Sequence, residues 1–481
     1  MLPLFFILNL ISLFSINFAF NLTQERRHHL EEMIKSQREQ AKLHTFGIVV
    51  TNKNKTIFQN IFSENKQLTN DTLFIIGNIS YSFTALAVLK SGIDLNKKLS
   101  EFDLAKYIKD EYSKKITVSE LLNHTSGLES YGSRIIDERK GKYNFSNYGY
   151  ALLGKIIENK NGMKYNDFMK KHIFKSLGMD NTWAEYREDI IESYDNLLGF
   201  RVKYRGLESE IEDGFYAPAG FISTTLEDMG KYLRYYLNTD SDDYKNYISR
   251  MLKSNLSIGY KEYYGMGLII GEKNGTMVIH HDGRTNSFSS HLFVYPELDL
   301  GFFIVTNTND LSCFIPTEQL FENIENFLLF DTHKGIHSNL FLQIHFTIDI
   351  AMIILLVGPF AYLIITIVGK CKRMEYAWFK GRKGIITFIM DLIILLLLPL
   401  TIIIYLYIGN VDYRKKAFES SKDLQFFIFT LCSISFFIFI IKLVYIFIYK
   451  YIKKNEKVDD KKNDQNNPDY MLGEMINDII D

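Results

Sequence analysis

Cysteine is scarce in this chain of 481 residues. Of its three cysteines, Cys371 and Cys432 lie among the apolar stretches of the C-terminal part, which leaves Cys313 alone in the remainder. No disulfide can therefore form inside the N-terminal part, and no cysteine-based metal spacing is present there. Packing must stabilise this part, and we expect neither a metal nor a cofactor.

Basic residues are not in excess in this chain. Lysine and arginine together number 55 against 56 acidic residues, for a net charge of −1, and no basic run occurs before about position 337. A nucleic-acid-binding surface needs clustered positive charge. A nucleic acid is therefore excluded as a partner.

The C-terminal part contains long apolar stretches instead. Residues 340–368, 384–408 and 424–449 are each long enough to cross the ~30 Å hydrocarbon core of a bilayer. The loop after the first stretch and the tail after the third are rich in lysine and arginine, which the positive-inside rule places in the cytoplasm. The pattern predicts three transmembrane helices within 336–455, held in the lipid bilayer, and a cytoplasmic tail over 456–481.

The N-terminal apolar stretch predicts export. Residues 1–20 resemble a secretory signal peptide, with an uncleaved anchor as the alternative, and in both cases 21–335 would form an exported domain. In the tail, apolar residues between Leu472 and Ile480 recur at helical spacing. This spacing fits a docking helix for a cytoplasmic partner, although a frayed end with chance periodicity explains it equally well.

The exported part alternates between strand and helix patterns. Strands occur at both of its ends and helices between them, which predicts an α/β architecture: an antiparallel sheet built from both domain ends, an inserted helical lobe, and a cleft where the two lobes meet. The expected elements are a β-hairpin over 43–62, a helix beginning at Asn78, strands over 264–270, 276–280, 289–294 and 301–306, and a closing helix over 317–330.

Several segments, taken in order, resemble one enzyme superfamily. Segment 116–128 ends in His124-Thr125-Ser126-Gly127-Leu128, segment 145–154 contains Phe145-Ser146-Asn147, and His281-Asp282-Gly283 follows near the end of the domain. Over about 43–330 the sequence resembles the serine β-lactamase and penicillin-binding superfamily, in particular its class C β-lactamase-like esterase and D-aminopeptidase branch. The resemblance implies a two-lobe β-lactamase-like fold with a cleft for a peptidyl or ester-like ligand.

The reactive residues of that superfamily are replaced here. Catalysis in the family depends on Ser-x-x-Lys at the start of a helix, where the lysine lies one turn after the nucleophilic serine. The matching positions are Asn78-Ile79-Ser80-Tyr81, with an amide and a phenol in place of the hydroxyl and the amine. We expect Asn78 to cap the helix, and no acyl-enzyme to form.

The second and third family motifs are only partly retained. The family's Tyr-x-Asn is Phe145-Ser146-Asn147 here, which keeps the asparagine but loses the phenolic oxygen. The strand motif His-x-Gly is kept at His281 and Gly283. In the family this strand contributes to the oxyanion site, whereas an isolated histidine can equally be a satisfied structural residue.

Two residues of the sequence could substitute for the missing catalytic groups. Ser63-Glu64-Asn65-Lys66 also fits Ser-x-x-Lys, but it follows a strand as a polar turn and does not open a helix. Ser82 is the less implausible substitute nucleophile, and His281 could act as a general base for water.

Three hypotheses follow from the sequence. The first is a catalytically inactive pseudoenzyme that acts as an outward-facing binding or regulatory module. The second is a divergent esterase or peptidase that uses a substitute residue. The third is a membrane scaffold in which the transmembrane helices and the tail carry the function.

Overall fold

The computed structural model describes most of the N-terminal part of the chain. The chain divides into two compact units, Met1–Gln343 and Ile344–Asp481. Within the described residues no helix is long and apolar enough to cross a membrane. The expected signal peptide, the expected membrane stretches (apart from a few separate positions) and the tail lie outside those residues, which are 22–335 without 65–67, 105, 109–110, 198–199, 205–206, 209–213, 255 and 310–313, together with 350, 429–430, 433, 437, 440 and 444.

Helices and strands alternate along the described chain. The helices are α1 (Gln24–Gln40), α2 (Ser80–Lys90), α3 (Val118–Leu122), α4 (Asn147–Asn161), α5 (Tyr165–Phe168), α6 (Ala217–Gly220), α7 (Leu226–Leu237), α8 (Ser249–Leu252) and α9 (Phe314–Phe330). The strands are β1 (Thr45–Thr51), β2 (Thr56–Ser63), β3 (Phe74–Ile75), β4 (Thr182–Trp183), β5 (Tyr194–Leu197), β6 (Phe200–Lys203), β7 (Ser223–Thr224), β8 (Ser257–Gly259), β9 (Glu262–Tyr264), β10 (Ile269–Lys273), β11 (Thr276–Arg284), β12 (Ser289–Tyr295) and β13 (Leu300–Thr306).

One large antiparallel sheet combines the two ends of the domain. In the part of the chain that the structure describes, its strand order is β2-β1-β13-β12-β11-β10-β9-β8, so the N-terminal hairpin joins the C-terminal strands through β1 and β13. Phe303 at the centre of β13 lies opposite Val49 on one side and Leu292 on the other. The predicted α/β architecture, with a sheet from both ends and helices inserted between them, is confirmed.

Both faces of the large sheet are covered. Along β1, Ile48 and Val50 enter a core with α1 and α9, whereas Val49 enters a larger core with α2, α4 and α7. Because neighbouring strand residues point to opposite faces, β1, β12 and β13 are buried at every position. This two-sided burial explains why their sequences are almost continuously apolar.

Helix α1 was not predicted from the sequence. It begins after Thr23, whose hydroxyl oxygen accepts a hydrogen bond from the backbone N–H of Arg26 at 3.3 Å. Leu30, Met33 and Ile34 on its inner face are buried against the sheet. Their i, i+3, i+4 spacing is the helical signal that was available in the sequence.

Two local predictions were wrong. The helix expected to begin at Asn78 begins at Ser80, because a 3-10 turn over Gly77–Ile79 precedes it and the side chain of Asn78 bonds elsewhere. The strand expected over 264–270 is interrupted between β9 and β10. Gly267 lies in this interruption with φ +75°, and a Cβ there would lie 2.6 Å from the carbonyl carbon of Tyr81, so the glycine allows the turn to approach α2.

Candidate functional site

The start of α2, the start of α4 and the end of β11 meet on one face of the large sheet. The approach of β11 to the turn before α2 is close enough to exclude side chains. A Cβ on Gly77 would lie 2.2 Å from the backbone nitrogen of Arg284, and one on Gly283 would lie 1.9 Å from the carbonyl oxygen of Ile76. Gly77 also has φ +57°, which favours glycine. These two glycines allow the strand to lie directly against the helix start.

Asn78 lies at the centre of this junction. Its side-chain nitrogen is 3.1 Å from the hydroxyl oxygen of Tyr81, 3.1 Å from Oδ1 of Asn147 and 3.2 Å from the carbonyl oxygen of Ala219. Its own oxygen accepts a hydrogen bond from the backbone N–H of Arg284 at 3.4 Å. The two amide hydrogens are thus shared among three acceptors, and both ends of the amide are engaged. Asn78 does not cap α2, which corrects the expectation for this side chain.

Tyr81 completes the network. Its hydroxyl donates a hydrogen bond to Oδ1 of Asn147 at 2.5 Å. The side chain is fully buried, and this burial raises the pKa of Tyr81 well above its ordinary value. The phenol is therefore neutral at physiological pH and supplies no amine-like base.

Aromatic rings surround Tyr81 on several sides. The centroid of its ring lies 4.0 Å from that of Tyr150, 5.1 Å from His124 and 5.6 Å from His281. Phe145 lies 5.8 Å away at the same ring, so the structure does bring this residue of the second motif to the site. Contacts of this kind are typical of an apolar core, and the aromatic rings occupy the space around Tyr81, next to the Asn78 amide.

His124, from the His-Thr-Ser-Gly-Leu segment, is buried among these rings. Its Nδ1 accepts a hydrogen bond from the backbone N–H of Ser146 at 3.1 Å, and burial lowers its pKa to about 3. Its Nε2 has no hydrogen-bond partner among the described residues. The histidine is thus a neutral packing residue, and its backbone φ of +56° marks the sharp turn that brings segment 116–128 to the site.

His281 projects from β11 towards the same cluster. Burial lowers its pKa, and its Nδ1 lies 2.6 Å from the carbonyl oxygen of Asp282. Since a carbonyl oxygen only accepts, Nδ1 carries the proton and Nε2 is the basic nitrogen. A neutral His281 keeps the protonation state that a general base needs.

The serines near the helix start are directed elsewhere. Ser82 is fully buried, donates to the carbonyl oxygen of Ile79 at 2.8 Å and accepts from the hydroxyl of Tyr232 at 2.8 Å. Ser80 accepts from the backbone N–H of Ile222 at 3.3 Å. Neither hydroxyl is hydrogen-bonded to the network of Asn78, Tyr81 and Asn147. The structure therefore brings together Asn78, Tyr81, Phe145, Asn147, His281 and Gly283, but not Ser82.

Several site residues could not be found from motif positions alone. Tyr150 and Tyr264 contribute rings to the cluster, Ala219 contributes a backbone carbonyl, and Arg284 contributes a backbone N–H. These residues are distant in sequence, and they meet only because α2, α4, α6 and β11 pack together. The sequence did hold a signal for Ala219, because Pro218-Ala219-Gly220, between the second and third motifs, also resembles the family.

A helix start, an Asn-bearing second helix and a His-x-Gly strand meeting at one junction define the active-site architecture of serine β-lactamases and penicillin-binding proteins. A family model described as Beta-lactamase matches residues 30–314, and the chain belongs to this family.

Curated relatives agree with this assignment. The chain is 24% identical over 338 residues to Beta-lactamase-like protein 4 of Dictyostelium discoideum, covering 58% of this chain and 59% of that protein. It is 22% identical over 328 residues to Protein flp of Staphylococcus aureus strain MW2, covering 60% and 64% respectively. The chain thus spans less than two thirds of the length of these relatives.

Solved structures share the fold. The octameric penicillin-binding protein homologue from Pyrococcus abyssi matches with a TM-score of 0.53 and 25% identity, over 64% of this chain and 79% of that one. A class C β-lactamase mutant matches with a TM-score of 0.53 and 16% identity, over 63% of this chain and 97% of that one. The second likeness concerns the fold alone.

Proposed function

We propose that this chain is a catalytically inactive member of the β-lactamase family, held in a membrane, whose exported domain acts as an outward-facing binding or regulatory module. The observation that carries the proposal is the Asn78 amide. It occupies the nucleophile position of the family and is hydrogen-bonded to Tyr81, Asn147, Ala219 and Arg284. A side-chain amide is not a nucleophile, so the residue at position 78 cannot attack an acyl group.

The neighbouring groups support the same proposal. A general base must accept a proton from the nucleophile, but the neutral phenol of Tyr81 already donates its proton to Asn147. Phe145 offers no oxygen at the tyrosine position of the second motif. The Asn78 oxygen also accepts from the Arg284 N–H on the strand that forms the oxyanion site in the family, which would oppose binding of a substrate oxyanion at this donor.

One observation favours a second candidate function. His281 is neutral, and the proton on its Nδ1 leaves Nε2 basic. Such a group could deprotonate a water molecule for attack on an ester or peptidyl substrate without a covalent intermediate. A divergent hydrolase is therefore the alternative to a pseudoenzyme.

Substrate turnover distinguishes the two candidates. The purified full chain, kept in mild detergent, is tested on fluorogenic esters and D-amino-acid peptides beside His281→Gln and the control His29→Gln, which changes an exposed histidine. We expect no turnover above the level of the buffer by any of the three proteins. Turnover by the unmodified chain and the control that disappears in His281→Gln would overturn the proposal in favour of the hydrolase.

The membrane location is part of the proposal and rests on the apolar stretches 340–368, 384–408 and 424–449. We expect the chain to stay with the membrane after carbonate extraction, and protease added outside intact cells to cleave 21–335 while sparing an epitope placed after position 456. Release by carbonate would contradict the anchor. If a chain lacking 21–335 kept the biological function, the membrane-scaffold hypothesis would replace the binding module.

A further inference from the structure

A second cluster of polar side chains lies on the opposite face of the large sheet, behind the Asn78 site. Asp282 on β11 lies opposite His291 on β12 in the strand register. Both side chains point towards α9, where Glu318 reaches them in the first turns of the helix. Three segments separated in sequence thus converge on one position.

His291 is the buried member of this cluster. Its side chain is 8% exposed, against 49% for Asp282 and 32% for Glu318. Its Nε2 is shielded from solvent and has no hydrogen-bond partner among the described residues. A buried ring nitrogen without a partner costs free energy unless something binds it.

The three side chains each offer a ligand atom close to those of the other two. Nδ1 lies 3.4 Å from Oδ1 of Asp282, and Nε2 lies 3.4 Å from Oε1 of Glu318, the latter without hydrogen-bond geometry. An imidazole binds an ion through one ring nitrogen, so these two distances, which start from different nitrogens, show that the two carboxylates flank the ring. One ligand atom from each of the three residues lies within 4.8 Å of the others. Two ligand atoms bound about 2.1 Å from a tetrahedral zinc ion are about 3.4 Å apart, so side-chain movements of about 1 Å would bring all three to one ion.

We propose that Asp282, His291 and Glu318 form a binding site for a first-row transition-metal ion of the zinc type. One imidazole and two carboxylates are a donor set that suits zinc, whereas magnesium and calcium prefer oxygen alone. Three protein ligands leave the fourth tetrahedral position for water. The ion would join β11 and β12 to α9, on the strand whose other face carries His281 and Gly283.

Arg284 is compatible with such a site. Its guanidinium Nη2 lies 2.6 Å from Oε1 of Glu318. Nε2 of His291 approaches this same Oε1. A carboxylate has a second oxygen, so Glu318 would bind the ion through Oε2 while Arg284 holds Oε1 in place. Hydrogen-bonded ligand carboxylates of this kind are common around protein-bound metals. The partial exposure of Asp282 gives the ion a path from solvent.

Zinc titration of the purified full chain tests the proposal. After treatment with a chelator, calorimetry is performed on the unmodified chain, on Asp282→Asn and Glu318→Gln, and on Glu322→Gln, an exposed acid one turn further along α9. We expect one zinc ion per chain, an affinity at least tenfold weaker in each of the first two variants, and an unchanged affinity in Glu322→Gln. Cobalt bound at the same site should give visible d–d absorption that Asp282→Asn and Glu318→Gln lose.

Two results would overturn the site. The first is the absence of zinc binding by the unmodified chain, which would leave His291 between two carboxylates with a proton as its only cation. The second is equal zinc affinity in all four proteins, which would place the ion elsewhere, for example at the exposed pair His28 and His29. Asp282→Asn and Glu318→Gln keep the shape of the side chain at partly exposed positions, and circular dichroism checks that both variants fold.

Discussion

The side-chain amide of Asn78 and the hydroxyl of Tyr81 are hydrogen-bonded to each other at 3.1 Å, and both contact Oδ1 of Asn147. In the sequence resemblance these two residues match the serine and the lysine of the β-lactamase family motif. An ammonium buried at this depth would need a charged or strongly polar partner, whereas a phenol and an amide satisfy each other without charge. The buried polar network of Asn78, Tyr81 and Asn147 is therefore complete without a buried charge.

Removing the hydroxyl of Tyr81 should destabilise the N-terminal unit. Tyr81→Phe keeps the ring contacts but leaves Asn147 without its 2.5 Å donor, which corresponds to a loss of about 1–2 kcal/mol in the free energy of unfolding. A lower urea midpoint measured by tyrosine and tryptophan fluorescence checks this. Tyr260→Phe, at a side chain that is 90% exposed, should leave the midpoint unchanged. Equal midpoints for the two variants would contradict the buried network.

Restoring the family residues should restore reactivity towards an acyl donor. We expect the triple variant Asn78→Ser/Tyr81→Lys/Phe145→Tyr to be labelled covalently by a fluorescent penicillin. It returns a nucleophile and an amine to two positions that contact Asn147, and a phenol to a position that contacts the ring at 81. The unmodified chain should stay unlabelled on a denaturing gel. Asn78→Ala/Tyr81→Lys/Phe145→Tyr is the matched control, since it lacks the nucleophile. Labelling of the unmodified chain would contradict the pseudoenzyme.

Much of the fold was accessible from the sequence because its signals are local. The alternation of apolar and polar residues over 43–62 predicted the hairpin of β1 and β2. The order of the family motifs predicted the order of several later elements. The helix was predicted to begin at Asn78 because its polar side chain suits a helix cap. In the structure this side chain is hydrogen-bonded to Tyr81 and to Asn147 and Ala219, and the last two lie far from it in sequence. Local propensity is overridden there by tertiary hydrogen bonds.

The candidate site was predictable only in part for the same physical reason. Motif positions identified Asn78, Tyr81 and His281, but Ser82 appeared as a substitute nucleophile because helical spacing alone does not say which neighbour its hydroxyl meets. In the structure that neighbour is Tyr232. The cluster of Asp282, His291 and Glu318 has no sequence spacing that signals a metal, since it depends on strand register and on the docking of α9.

Gly283 should tolerate no side chain. In Gly283→Ala the new Cβ would lie 1.9 Å from the carbonyl oxygen of Ile76 and 2.3 Å from Oγ of Ser290, so β11 must move away from the start of α2. We expect a loss of about 3 kcal/mol or more in stability, seen as a lower thermal midpoint and less folded protein. Gly335→Ala, where a Cβ meets nothing within 4 Å, is the control. A normal midpoint for Gly283→Ala would mean that the strand and the turn are further apart.

Acid should destabilise the N-terminal unit through His124. Burial, followed by electrostatic repulsion from the imidazole of His281 when both rings are protonated, lowers the pKa of His124 from 6.5 to about 3 in the folded state. Between these two pH values the His124 ring is protonated in the unfolded chain but not in the folded chain. The free energy of unfolding is therefore undiminished by this group above pH 6.5 and decreases as the pH falls towards 3. From pH 6.5 to pH 5 the loss from this one group is about 2 kcal/mol.

The pH dependence separates this effect from simple packing. His124→Asn removes the titrating ring but keeps a residue type that tolerates the left-handed backbone at φ +56°. We expect the variant to be less stable at pH 7 because its smaller side chain leaves a cavity, yet to lose less stability than the unmodified chain between pH 6.5 and pH 5. His29→Asn, at an exposed position, should keep the full dependence. Parallel pH profiles for His124→Asn and the unmodified chain would show that His124 is accessible to protons, and the aromatic cluster around Tyr81 would then be open to water.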